Sequence, residues 1–422
     1  MAMRAVAALG AFSVAEQAVW VTVLVVASRR GGPVETGWVS VALLAPAALV
    51  APRAARRLSA PTVRAPLATG YAIQTAAMVL AALVLVLDLD ARLFYAAAAL
   101  VTVATVMSRP AHHAFLAQLG SPVRATVATG VVSGGAQLAG PLVAAATLHA
   151  AGPTQVLLVG AGLSLAATAF TTGLGHHRPT VVARRVPRAA DPRTASASSI
   201  ASVLRGRTPA ARRCVLLLFT VLGAVAVVLG AIETLATQVA QVAQVAQVAT
   251  NSGRRVDADG STTGMLMAAA GGGLLVGAWW CGRVIARRSE CTAMRVGALC
   301  TATGLLAMGL PLGLAWSMAA FAVTGMGMQA VTVAGWVLLH RRVCCDDPAQ
   351  VSNVFGVLEA QHLAANGVGA MAAGLVLGHS GMWPVLVVAA LVVPLAMSAL
   401  SIERLGHLPA PMSIIVPPSV GV

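Results

Sequence analysis

Lysine is missing from this chain altogether: every one of its 28 basic residues is arginine. The phosphate-cradling Gly-x-x-x-x-Gly-Lys loop is therefore missing too, so an ATP-driven activity would need a separate motor subunit. Acidic residues number only 13, and charged residues of all kinds make up 10% of the chain. Against 58% hydrophobic residues and a mean hydropathy of +0.84, that is too little polar surface to clothe a water-soluble core. Lipid is the expected solvent for most of the molecule. The six cysteines provide no disulfide framework, because Cys214, Cys281, Cys291, Cys344 and Cys345 fall at predicted cytosolic helix ends and Cys300 inside a predicted span. The Cys344-Cys345 pair, beside Asp346 and Asp347, lacks the second ligand pair that a soft-metal site needs, so no metal is expected. No zinc-ligand spacing, recognition helix or aromatic-basic patch accompanies the arginines. That sets nucleic acid aside as a partner despite the formal net charge of +15.

The polar residues that are present are concentrated. From His176 to Arg213 the chain carries nine arginines, four prolines and a single acid, Asp191. The block on either side divides into six bilayer-length apolar runs. The expected fold is an all-α membrane protein of twelve transmembrane helices. It comprises a six-helix bundle over residues 1–175, a basic cytosolic linker over 176–213, a second six-helix bundle over 214–402 and a cytosolic tail over 403–422. The apolar run after Arg4 reads as the first spanning helix, about Ala5 to Ser28, rather than as a removed signal peptide. The second is expected from Gly37 to Pro52, after an outer loop holding Arg29, Arg30 and Glu35.

With these spans only Arg29, Arg30, Arg92, Arg254 and Arg255 lie on one side, leaving 23 of the 28 arginines on the other. This positive-inside bias predicts a multi-pass protein of the cytoplasmic (inner) membrane with both termini and the linker in the cytosol. Trp38, Trp316 and Trp383 would open their spans at the outer face, as an aromatic belt. Arg56, Arg57, Arg287 and Arg288 follow an alanine at the same point of each six-helix unit, and would anchor inner loops on anionic lipid headgroups. The Gln-Val-Ala repeat from Gln238 to Ala249 has a three-residue period, which drifts about 60° per repeat around an α-helix, so its glutamines spiral. It reads as an expansion that lengthens the outer end of the seventh helix.

A carboxylate at bilayer depth costs about 3 kcal/mol on the insertion scale, so such residues line a cavity or titrate. Only Glu16, Glu233 and Glu359 fall well inside predicted spans. Glu16 and Glu359 each lie twelve residues, about 18 Å, from the nearest inner-end charge, close to the midplane; Glu233 is expected nearer the outer face. Ser13, Glu16, Gln17 and Trp20 share one face of the first helix, and Glu359, His362 and Asn366 one face of the eleventh. Glu16, Gln17, Glu233, Glu359, His362 and Asn366 are thus the candidate substrate- and proton-binding groups. The Gly271-Gly272-Gly273 run and the Gly134-Gly135 pair are expected to serve close helix packing.

Two six-helix blocks joined by a basic loop resemble the major facilitator superfamily across nearly the whole chain. Ala136-Gln137-Leu138-Ala139-Gly140-Pro141-Leu142-Val143-Ala144-Ala145 resembles the fifth-helix antiporter signature Gly-x-x-x-Gly-Pro-x-x-Gly-Gly, retaining Gly140 and Pro141 with alanine at the other glycines. The segment from Ala334 to Glu359, and Arg109-Pro110-Ala111, are similar to regions of actinobacterial drug-exporter-like members. The loop after the second helix departs from the family pattern, with Ala51 and Ala55 where its glycine and aspartate would stand. The fourth-helix arginine signature is also absent, because Arg109 is placed at the inner end of its helix. The resemblance implies a secondary transporter working by alternating access, an exporter of hydrophobic or amphipathic small molecules coupled to proton entry. It implies no cofactor and no enzymatic activity, with Gly140 and Pro141 shaping the fifth helix where the bundles meet. Alternatives are an importer of a small metabolite, or a sensor or assembly protein that keeps the fold without transport.

Overall fold

A computed structural model gives the structure at residues 2–57, 64–117, 122–172, 200–204, 209–250, 258–287, 289–343 and 348–398. Among these residues every regular element is an α-helix: α1 (Ala2–Arg57), α2 (Arg64–Val86), α3 (Ala91–Ala117), α4 (Pro122–Ala151), α5 (Pro153–Thr172), α6 (Ile200–Leu204), α7 (Pro209–Thr250), α8 (Ala258–Arg287), α9 (Glu290–Met308), α10 (Leu314–Val343), α11 (Pro348–Ser380) and α12 (Met382–Ser398). Helix is the solution that lets an apolar segment satisfy its own backbone without water. The sequence marks several starts: α4, α5, α7 and α11 each open on proline, whose missing N–H costs nothing in the first turn. Asp90 accepts a hydrogen bond from the Arg92 backbone N–H at 2.8 Å as α3 begins, and Ser289 Oγ accepts from the Thr292 N–H at 3.2 Å to cap α9. Within the helices, hydroxyls such as Thr22, Ser40, Thr105 and Thr324 donate to carbonyls four residues back, so few of them need a distant partner.

Ten of the helices are long and apolar enough to cross a membrane. The first of these stretches, Val6–Ala54, has 49 residues, which at 1.5 Å each is about 74 Å, more than twice the hydrocarbon thickness. It does not run straight. Helical geometry breaks at Gly31 and Gly32, the latter at φ 65° and ψ −153°, a conformation open to glycine alone. The chain reverses there, since Trp20, eleven residues before the break, packs on the cluster that contains Leu44 and Ala47, twelve and fifteen residues after it. The expected outer loop over Arg29 to Glu35 is thus compressed to two glycines, and the second arm starts at Pro33 rather than Gly37. Tight turns at Gly152, Gly313 and Gly381, all at positive φ, join other neighbours.

In the first half α1 packs on α3 and α5, and α2 on α3 and α5; in the later helices α7 packs on α11 and α8 on α10, and α9 lies against α10 and α12. Two antiparallel pairs join these groups: α1 with α11, and α4 with α8. Both pairs approach through small residues. A Cβ on Gly271 would lie 2.1 Å from the Gln137 carbonyl oxygen, and one on Gly374 would lie 2.4 Å from that of Pro33. Gly134 likewise meets Leu275, but Gly135 has open space and Gly272 touches only the tip of Leu138. The packing role expected of all five glycines therefore holds for Gly134, Gly271 and Gly273. The other two lie on a different helix face. Large apolar side chains, among them Leu49, Leu165, Leu299, Val368 and Leu395, remain exposed around the perimeter, as a lipid-facing belt requires. Trp38, Trp316 and Trp383 are also exposed. They stand at the end of the molecule that carries the Gly31–Gly32 reversal, with Trp316 Nε1 donating to the Ala307 carbonyl at 2.8 Å.

The short α6 and the first turn of α7 fall inside the segment read as linker, and Val203 joins the core with Cys214 and Val215. Residues 173–199, 205–208 and 399–422 lie outside the described residues, which takes in most of the basic linker and the C-terminal tail.

Candidate functional site

Where α1, α3 and α11 meet, Arg109 joins two of the three intramembrane acids. Its Nη2 lies 3.1 Å from Glu16 Oε1, and its Nη1 is hydrogen-bonded to Glu359 Oε1. The Glu16 and Glu359 side chains are 15% and 14% exposed, and that of Arg109 is 34% exposed. Charges taken this far out of water persist only when paired, and a guanidinium has the fork geometry to hold two carboxylates at once. Arg109 corrects the sequence reading, which left it at the inner end of its helix and out of the acid group. The helix continues through Pro110 to Ala117, so Arg109 stands two turns inside it and its long side chain reaches the acids. His362, half-buried one turn along α11 from Glu359, feels the charges of both Glu359 and Arg109.

A second polar level lies seven residues further along α11, about 10 Å towards the Gly31–Gly32 end. Here Glu233 of α7 and Asn366 of α11 are each only 6% exposed. Asn366 and Trp20 are the hydrogen-bonding neighbours of the Glu233 carboxyl, and Glu16 is the charge that acts on it. Yet Glu233 Oε2, Asn366 Oδ1 and Trp20 Nε1 have no partner within hydrogen-bond geometry. Buried polar atoms left unpaired are costly, about 1–3 kcal/mol each. The helices hold them there nevertheless: Gly230 sits so close to α11 that a Cβ would be 2.0 Å from the Asn366 carbonyl, and Thr234 Oγ1 reaches the Ala370 carbonyl at 3.3 Å. Glu16, Glu233, Glu359, His362 and Asn366 thus lie along one seam between α1, α7 and α11, on two levels, while Gln17 faces Gly140 of α4.

One turn from Trp20 and Glu233, a small cavity with room for about one water lies between α1, α4, α7, α8 and α10. Gln17, Gln137, Leu229, Met267, Leu274 and Met328 are among its walls, and Pro141 borders it. Gly140 is the contact point of α4 with α1: a Cβ there would meet Gln17 Cβ at 2.5 Å and the Val14 carbonyl at 2.8 Å. The Gly140-Pro141 step therefore lies at the cavity wall. Gln137 and Trp20 were not singled out as site residues from the sequence, although Gln137 is the lone polar side chain of its signature segment and Trp20 completes the face of Glu16 and Gln17.

The basic candidates lie elsewhere. Arg56 and Arg57 close α1, and Arg287 closes α8 with an exposed side chain. Arg288 lies outside the described residues. Near Arg287, the Arg283 guanidinium stacks 3.5 Å from the centroid of the exposed Trp279 ring. Among the described residues no group of three or more His, Cys, Asp or Glu side chains comes together as metal ligands would; Cys344, Cys345 and their neighbouring aspartates fall outside that range.

No family model matches the sequence, and no curated protein matches it. The structure does find likenesses. The crystal structure of the human organic anion transporter MFSD10 (TETRAN) aligns with a TM-score of 0.63 at 17% identity, covering 94% of this chain and 99% of that one. A crystal structure of the nucleoside transporter NupG, in a mutant form, aligns with a TM-score of 0.64 at 15% identity and the same coverage. Both are transporters of the major facilitator type. This chain has their fold.

Proposed function

We propose that the protein is a secondary transporter of the major facilitator superfamily, exporting hydrophobic or amphipathic small molecules against proton entry. In this reading the two arms of α1, α2–α5, α7–α11 and the shorter α12 make twelve spans, six before the basic linker of residues 176–213 and six after it, with both termini in the cytosol of a cell whose inner membrane holds the protein. The observation that carries the reading is Arg109, which ties a carboxyl of the first half to a carboxyl of the second. Inverted-repeat carriers place substrate and coupling ions at such an interface and rock one half against the other.

The chemistry follows from charge. With Glu16 and Glu359 both ionised, Arg109 holds α11 to α1 and α3. A proton delivered to Glu359 removes one arm of the fork, leaves Arg109 on Glu16 within its own half, and frees α11 to move. His362, one turn away, is placed to relay that proton. Gln17 and Gln137 give the neighbouring water-sized cavity two polar points on apolar walls, where a solute would enter only as the halves move apart. Export is the direction we favour because an amphipathic solute enters a cell through lipid unaided, so that only its removal requires a carrier.

Purified protein in liposomes under an imposed pH gradient tests this. Wild type should drive at least tenfold accumulation of an amphipathic dye relative to empty liposomes, and the Glu16→Gln, Glu359→Gln double variant should lose that gradient-driven part while still exchanging dye down its own gradient. Gradient-driven accumulation unchanged in the double variant would remove proton coupling through these acids, and movement of no solute by either protein would favour a sensor.

A further inference from the structure

The last turns of α8 carry positive charge that no neighbouring acid answers. α8 starts at the end of the molecule that holds the Gly31–Gly32 reversal, where Gly260 approaches Val25 and Leu148, so it finishes at the opposite end. There Val276, Trp279, Arg283 and Arg287 recur every three or four residues and form one exposed stripe. Three of the four exposed tryptophans, Trp38, Trp316 and Trp383, belong to the reversal end; Trp279, 56% exposed, is the fourth. One face of its ring is covered by the Arg283 guanidinium, 3.5 Å from the centroid. A lipid-facing arginine ordinarily stretches its charge towards water. Arg283 instead folds back over a ring anchored one turn, about 6 Å, deeper in the span. Glu290, the first acid after α8, is ion-paired with Arg341 of α10, and among the described residues neither Arg283 nor Arg287 has a carboxylate partner.

We propose that Trp279, Arg283 and Arg287 form a binding site for one anionic phospholipid, its phosphate between the two guanidiniums and the upper part of its acyl chains along Trp279 and Val276. Of the four arginines expected at lipid headgroups only Arg287 has a described side chain, and Arg283 with Trp279 turns that lone charge into a site. Charge and depth select the occupant. Two arginines one turn apart, with about 5–6 Å between their Cβ atoms, flank a phosphodiester, and the planar guanidinium matches the phosphate oxygens. A zwitterionic lipid would bring its own cation beside the second arginine, whereas a glycerol headgroup brings hydroxyls. Stacking on the indole holds Arg283 in place beforehand, so less side-chain freedom is lost when the phosphate arrives. A water-soluble anion fits poorly, because Val276 and Trp279 continue the stripe into the apolar zone, where only a molecule with chains covers them.

Native mass spectrometry of the purified full-length protein decides the matter, with an equimolar mixture of phosphatidylglycerol and phosphatidylcholine of identical acyl chains as the probe. Wild type should retain phosphatidylglycerol over phosphatidylcholine by about tenfold, within the roughly fivefold that each arginine contributes beside anionic lipid, and Arg283→Ala combined with Arg287→Ala should bring the preference below about twofold. Trp279→Ala should lose about threefold, and Trp279→Phe should recover most of it. Arg212→Ala combined with Arg213→Ala, which removes the same charge from the exposed start of α7, should keep the wild-type preference. Equal loss in the two double variants, or no preference in wild type, would overturn the proposal, as would displacement of the lipid by excess inorganic phosphate. If the Arg283, Arg287 variant does not stay monodisperse, wild type and Trp279→Phe suffice. The emission that Trp279 contributes, taken as their difference, should be quenched about twofold more steeply by phosphatidylglycerol brominated near the top of its chains than by phosphatidylcholine brominated alike, and equal quenching counts against the site. None of these readouts involves transport, so the loss of this site would leave the carrier reading standing, and the loss of that reading would leave the site.

Discussion

At Arg109, a side chain two-thirds withdrawn from solvent balances two carboxylates that are withdrawn further still. Taking away one member of such a group leaves charge buried without compensation, a loss of about 3–5 kcal/mol for a fully buried pair and about 2 kcal/mol allowing for the exposed third of Arg109. Arg109→Ala should therefore lower the midpoint of thermal unfolding in detergent by several degrees. Adding Glu16→Gln and Glu359→Gln to it should restore that midpoint without restoring the proposed gradient-driven transport. A triple variant no more stable than Arg109→Ala would show that the ion pairs contribute little. The acids themselves were legible in the sequence, because a charged residue inside a greasy run is conspicuous. Arg109 was not, since Pro110, His112 and His113 beside it look like a cytosolic helix end and nothing local reveals which third helix will reach a given pair. The same holds for Trp20 and Glu233, whose meeting depends on how α1 and α7 come together.

Among the elements, α8 offers a comparison at neighbouring positions. A methyl group at Gly271 would collide with the Gln137 carbonyl at 2.1 Å, whereas one at Gly272 would find Leu138 Cδ1 at an ordinary 3.8 Å. Overpacking a helix contact costs about 1–3 kcal/mol, while replacing an unhindered helical glycine by alanine gains up to about 1 kcal/mol. Gly271→Ala should thus reduce the monodisperse yield and unfolding temperature of the protein, and Gly272→Ala should leave both equal or higher; equal loss at both sites would mean that glycine serves flexibility here rather than proximity. The sequence announced a glycine-rich contact surface but not which glycines touch, because that depends on the rotation of α8 about its own axis. It also announced a loop over Arg29 to Glu35 where the structure needs only two residues. Charges there suggested solvent, yet Glu35 accepts a hydrogen bond from Tyr95 at 3.3 Å and stays in the helix.

For the molecule as a whole, the arginine distribution makes a claim about sidedness that the packing alone does not. A fluorescent protein that matures only in the cytosol, fused after Val422, should glow, and alkaline phosphatase fused after Asp90 should be active; the reverse pattern would turn the protein over and with it the proposed direction of transport. The overall architecture was readable because an unbroken apolar run of about 20 residues matches the thickness of the hydrocarbon and finds few uses outside it. The fine structure of the seam was not, being a property of several helices together. One element reaches past the rest: α7 has 42 residues, about 63 Å, and near its far end Gln241 Nε2 donates to Ser28 Oγ at 2.8 Å, fastening it to α1. Every third residue in that part of α7 is glutamine. Slippage that adds or deletes nine nucleotides within the tract would present another glutamine at the same height opposite Ser28, so copy number can drift over generations while the clasp is rebuilt each time from an identical spare.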